Sequence, residues 1–126
     1  MGMFDYFEPR KSLSCPVCGD ELVDWQGKDG PRDLVVWREG QRAPVEQRVD
    51  QEWAMSPEAL EALRLPAEFM IYTYDTHDHR VVASGRCVDG VWTHTELTTV
   101  SAFRRTRNGA LARRQLWPVV TREQIC

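Results

Sequence analysis

Glu68-Phe-Met-Ile-Tyr-Thr-Tyr74, Arg80-Val-Val-Ala-Ser-Gly-Arg-Cys-Val88 and Val91-Trp-Thr-His-Thr-Glu-Leu-Thr-Thr-Val100 are three consecutive runs that decide the fold. β-branched and aromatic residues dominate them, and such side chains suit a pleated, half-buried surface. Each run has strand length, and polar residues separate the runs. Asp75 to His79 forms a polar tip between the first two. Asp89-Gly90, flanked by Val88 and Val91, joins the second and third. An Asp-Gly pair between apolar residues is the strongest short hairpin signal, because a type I′ turn needs positive φ at both central positions. The reading is a three-strand antiparallel meander over 68–74, 80–88 and 91–100.

On the N-terminal side of the meander lies the one clear helix signal, Ser56-Pro-Glu-Ala-Leu-Glu-Ala-Leu-Arg64. Ser56 suits the N-cap, Pro57 the first helical position, and Glu58 the positive end of the helix dipole. Leu60 and Leu63 share a face. Pro66 disfavours helical backbone at Leu65 and should end the segment there. Further back, Leu34-Val35-Val36-Trp37 reads as a strand, preceded by the turn Gly27-Lys-Asp-Gly-Pro31 and a loosely alternating run, Asp20 to Gln26. Strand, glycine-rich turn and strand predict a hairpin. Leu22 and Asp24 would lie on one face of its first strand, with Val23 and Trp25 on the other. Residues 39–51 read as a loop with a short strand near Val45 to Val49. Phe4 and Tyr6 alternate with Asp5 as in a short strand docked on the core.

Cys15-Pro-Val-Cys-Gly19 sits between these elements. Two thiols three positions apart, with glycine next, suit a tight turn that points both sulfurs at one ion. Gly19 supplies the positive φ. Redox use would require a helix opening at the pair to lower a thiol pKa, whereas a strand pattern follows here. The run resembles the rubredoxin-type knuckle of zinc ribbons. That resemblance implies a structural Zn2+ held by Cys15 and Cys18, with two more cysteines from a second knuckle facing the first. No second Cys-x-x-Cys exists in the chain. The remaining candidates are Cys87, beside the Asp-Gly turn, then His77, His79, His94 and Cys126. Cys87 is expected as the third ligand. In a two-residue hairpin Cys87 opposes Trp92 and His94 opposes Gly85, which makes Cys87 and His94 diagonal neighbours on one face. The alternative is the same knuckle-shaped turn with free thiols.

Forty-two per cent hydrophobic and 28% charged residues describe a globular chain with a modest core. No apolar run approaches membrane-spanning length, and the first residues carry Asp5 and Glu8 instead of an apolar core. The expectation is a cytoplasmic protein without membrane contact, where paired cysteines mean metal rather than disulfide. The net charge of −3 hides an asymmetry. Residues 1–100 hold 10 Lys/Arg against 18 Asp/Glu, and residues 101–126 hold six arginines against one Glu. Arg104, Arg105, Arg107, Arg113, Arg114 and Arg122 could meet phosphates, although the acidic body opposes a polyanion. Ala110 to Leu116 is expected as a short helix. No phosphate loop, dinucleotide fingerprint or His-Glu-x-x-His is present. The opening Met-Gly-Met-Phe-Asp-Tyr resembles the start of small uncharacterised bacterial and phage proteins, which implies a bacterial or mobile-element origin.

These readings converge on an α+β fold. It is a small β-rich domain of antiparallel hairpins over residues 1–100, with one short helix and a zinc-ribbon-like N-terminal knuckle, followed by a basic extension over 101–126. The function expected is that of a non-enzymatic accessory protein that binds a protein partner and uses Zn2+ as a structural clip. A nucleic-acid-binding module acting through the arginine-rich tail is the alternative. A metal-dependent or thiol enzyme comes third.

Overall fold

A computed structural model describes residues 4–105 and 107–118. Ten strands carry the architecture: β1 (Asp5–Glu8), β2 (Leu13–Ser14), β3 (Glu21–Leu22), β4 (Trp25–Gly27), β5 (Val35–Arg38), β6 (Glu46–Gln47), β7 (Glu68–Tyr74), β8 (Arg80–Val88), β9 (Val91–Arg105) and β10 (Leu111–Trp117). Eight of them form one sheet in the order β10-β9-β8-β7-β4-β1-β5-β6, and β2 and β3 pair separately. The β1–β5 pairing is parallel, and the others are antiparallel. The sheet curls until the Gly40 N–H beyond β5 donates to the Trp92 carbonyl of β9 at 2.7 Å. The result is a partly closed barrel.

The meander has the register its sequence dictates. β7 pairs with β8 from Glu68↔Arg86 to Tyr74↔Arg80. Asp89 and Gly90 take φ of 54° and 79°, as the type I′ turn between Val88 and Val91 requires. Inward residues alternate along the strands: Phe69, Ile71, Val81, Ala83 and Trp92 are buried. Phe7, Phe69 and Trp92 pack as an aromatic triangle with ring centres 5.4–5.8 Å apart. Trp25, Trp37, Val35 and Val100 complete the core.

The fold is essentially all-β, which corrects the expected α+β class. α1 (Pro57–Ala62) is only six residues long, and no residue in it is buried. Its cap forms as its sequence predicts, with the Ala59 N–H donating to Ser56 Oγ at 3.1 Å. Leu63 is already extended, so the helix stops before Leu65. Leu60 and Leu63 only lean on the edge of the core. A single 3-10 turn (Gln51–Trp53) is the other helical element among the described residues.

The N-terminal half is rearranged relative to the expected hairpin. β4 and β5 do not pair, because β1 lies between them. The cause is Asp5, which is buried and faces inward with Phe7, whereas Tyr6 is half-buried. Asp5 Oδ1 accepts from Asp33 N (2.9 Å) and Val35 N (3.3 Å), and Oδ2 accepts from Arg32 N (3.0 Å). A buried carboxylate needs such donors, and they fix the start of β5 against β1. Asp24, at φ 56°, breaks the Asp20–Gln26 run, so that Leu22 and Trp25 both turn inward. Beyond residue 100, β9 continues unbroken to Arg105 and pairs with β10. Residues 111–117 are therefore a strand, where a short helix was expected over 110–116, and the β9–β10 ribbon prolongs the main sheet.

Candidate metal centre

β2, the knuckle and β3 form a small hairpin of their own, with Leu13↔Leu22 and Ser14↔Glu21 in register. The Cys15 N–H donates to the Asp20 carbonyl, and the Gly19 N–H to the Cys15 carbonyl, both at 2.8 Å. Gly19 holds the expected positive φ of 81°. Both sulfurs are thereby aimed at the polar tip between β7 and β8.

That tip is a tight turn organised by one carboxylate. Asp75 Oδ1 accepts from His77 N (2.9 Å) and His79 N (3.0 Å). Asp75 Oδ2 accepts from the Cys18 thiol at 3.0 Å and lies 2.8 Å from His79 Nδ1. Cys15 Sγ lies 3.9 Å from His79 Nδ1. One donor atom from each of Cys15, Cys18, Asp75 and His79 lies within 4.8 Å of the others. These four residues can hold a metal ion. The Asp75 side chain is fully buried and that of His79 is 16% exposed, while Cys15 is buried and Cys18 half-buried.

The electrostatics follow from the contacts. Burial pushes the Asp75 carboxyl upward, but hydrogen bonds from the Cys18 and Cys15 thiols and from the His79 and His77 backbone outweigh it. The net result holds Asp75 well below the usual carboxylate range. Donation to Asp75, opposed in part by the Asp20 backbone, pushes the Cys18 thiol from 9.0 up to about 12. Beside the quartet, Asp20 accepts from Thr76 Oγ1 and, at 3.2 Å, from Thr76 N, and Oδ2 of Asp20 lies 3.2 Å from His77 Nδ1. The Thr76 hydroxyl, against some burial cost, draws the Asp20 carboxyl downward.

Cys87, expected as the third ligand, is placed elsewhere. It lies next to last in β8, whereas His79 precedes the start of that strand. At about 3.3 Å per residue the two lie roughly 25 Å apart. The Cys87 N–H donates to the Ala67 carbonyl, and its side chain packs on the core, where burial pushes the thiol upward. His94 opposes Arg86 rather than Gly85, because the register shifts between Arg86 and Cys87. The shift turns His94 to the outer, exposed face, away from Cys87. Cys126 and Arg122 lie outside the described residues. Arg113 stacks over the Phe103 ring at 4.2 Å and donates to Ser101 Oγ at 3.0 Å. Arg107 and Arg114 are exposed.

Asp75 escaped the sequence reading. A search for a second cysteine pair passes over a carboxylate at a hairpin tip. The usable signal was Asp75-x-x-x-His79 in a tight turn, a second small ligand-bearing loop that can face the knuckle. Comparison with protein families, with curated proteins and with solved structures finds no match to this chain. The site therefore rests on its own geometry. Among the described residues, no helix is long and apolar enough to cross a membrane.

Proposed function

We propose that the chain is a non-catalytic β-domain in which Zn2+, held by Cys15, Cys18, Asp75 and His79, clips the knuckle hairpin to the β7–β8 turn, and that the clipped domain acts by binding a protein partner. The convergence of four donor atoms within 4.8 Å carries the zinc assignment. Two thiolates, an imidazole and a carboxylate suit zinc, and a complete set of four protein ligands is the mark of a structural rather than a catalytic site. Two surface clefts of about 390 and 400 Å3 are lined by residues outside the quartet. Protein binding is supported by β10, which pairs only with β9 among the described residues. Its open edge can accept an added strand, and Phe103 and Leu111 expose apolar surface beside it (59% and 62% exposed).

Metal analysis of tag-free protein tests the clip. About one zinc ion per chain is expected after desalting, with loss in Cys15→Ser and His79→Ala. Less than roughly one ion per three chains would rule the clip out. The nucleic-acid reading keeps one supporting observation, the exposed Arg107 and Arg114 on the β9–β10 ribbon. It requires binding that weakens steeply with salt and is lost on Arg107→Glu/Arg114→Glu substitution.

A further inference from the structure

The geometry points to a second metal position beside the first, held by Cys18, Asp20, Asp75 and His77, with Cys18 and Asp75 bridging two divalent ions. One donor atom from each of these four lies within 4.8 Å of the others, and Cys18 and Asp75 belong to both quartets. This inference rests on the inner site proposed above and extends it to a two-metal centre.

Three features carry it. The first is chemical. Thiolate sulfur and a single carboxylate oxygen such as Asp75 Oδ2 can each bind two ions at once, and paired ions in proteins lie about 3.5–4 Å apart. The second is charge. Metal ligands bind deprotonated, so Cys15, Cys18, Asp20 and Asp75 carry four negative charges, and His77 and His79 are neutral. A single divalent ion leaves this set strongly negative, whereas two ions balance it. The third is preparation of the outer pair. His77 and His79 project from the same turn with their rings stacked, centres 5.9 Å apart and 21° from parallel. Asp20 reaches His77 from the knuckle hairpin, held in place by Thr76. One turn thus presents one histidine to each ion, and Asp75 stands between them.

The two positions differ in access. The inner set is buried or half-buried, whereas the His77 side chain is 59% exposed and that of Asp20 is 26% exposed. A cleft of about 470 Å3 lined by Tyr74, His77, Asp78, Ala102 and Phe103 opens beside His77. The outer ion therefore exchanges with solvent, and a chelator removes it first.

Titration of the metal-free full chain with Co2+ alone, followed by visible absorption and by calorimetry, tests the inference. Two ions per chain are expected in wild type, in two resolved steps. His77→Ala and, separately, Asp20→Asn should remove only the weaker step and leave the thiolate-to-cobalt band of the inner ion intact. His77 is on the surface, and unchanged far-ultraviolet circular dichroism confirms that its variant is folded. One ion per chain in wild type, unaffected by either substitution, overturns the second position and leaves the inner site standing. No binding overturns both. Two ions that persist in both variants also overturn the assignment.

Discussion

Asp75→Asn separates what the carboxylate does for the fold from what it does for a metal. Asparagine keeps the shape, and its Oδ1 can still accept from His77 N and His79 N. The atom replacing Oδ2 becomes an amide nitrogen facing the Cys18 thiol at 3.0 Å and His79 Nδ1 at 2.8 Å. Hydrogen bonds to a charged group contribute about 1.5–3 kcal/mol each, and the thiol is a weak donor, so a loss of roughly 3 kcal/mol is expected in metal-free protein. With a urea slope of about 1.5 kcal/mol per molar, the unfolding midpoint falls by about 2 M. Tryptophan fluorescence in urea with a chelator present measures this. Because the folded carboxyl titrates below its ordinary range, its contribution is fully present above the unfolded pKa of about 3.9 and fades as pH falls towards the folded value. The gap between wild type and variant should therefore narrow below about pH 4. Added zinc at about a hundred times its dissociation constant should stabilise wild type by about 2.7 kcal/mol further, and the variant by much less. Equal midpoints at neutral pH, or a gap that widens in acid, would refute the reasoning.

Metal-free Cys18, its thiol pushed up to about 12 by donation to Asp75, should alkylate slowly near pH 8, and Asp75→Asn should speed the reaction roughly tenfold or more as read by mass spectrometry. Cys87→Ser should leave zinc content unchanged, because Cys87 lies next to last in β8, at its far end. Gly85→Ala should cost about 1–3 kcal/mol in urea unfolding, since a Cβ there runs into the buried Phe69 ring. Asp5→Ala strips the acceptor from three backbone N–H groups at the β1–β5 junction and should cost about 3 kcal/mol or more in the same assay.

The meander was legible because its signals are local: β-branched alternation and an Asp-Gly turn act over a few residues. The knuckle was legible for the same reason. What failed was long-range. Nothing local shows that Asp5 recruits the N–H groups of residues 32, 33 and 35 and drives β1 between β4 and β5. Propensity marked the helix correctly, but propensity does not measure length or burial, and α1 contributes no buried residue to the core. Cys87 has the right ligand type and a turn beside it, but nothing local in the sequence tells which end of the hairpin faces the knuckle. A one-residue shift between Arg86 and Cys87 then reversed the face assigned to His94.

The candidate metal quartet lies where the sheet pairing is shortest. β2 and β3 contribute two residues each, pair only with one another among the described residues and lie outside the eight-stranded sheet. A hairpin that short is marginal in water. Leu22 and Cys15 anchor it to the core, and at its tip the bonds to the rest of the chain run through Cys18, Asp20 and the Asp75–His79 turn. Cys18 and Asp75 are 57 positions apart in the chain. A covalent staple closing a loop of that size would stabilise the fold by roughly 4 kcal/mol in the chain-entropy picture. An ion bridging the same two turns constrains the unfolded chain in a similar way while also neutralising the thiolates and Asp75. A second cysteine knuckle is unnecessary for this role: the β7–β8 turn already holds a buried carboxylate oriented by two backbone N–H groups, and a histidine four positions on. Metal removal should therefore loosen residues 13–22 and the 75–79 turn first, with the Phe7, Phe69 and Trp92 triangle still packed. Hydrogen exchange that rose equally in β8 would contradict this order.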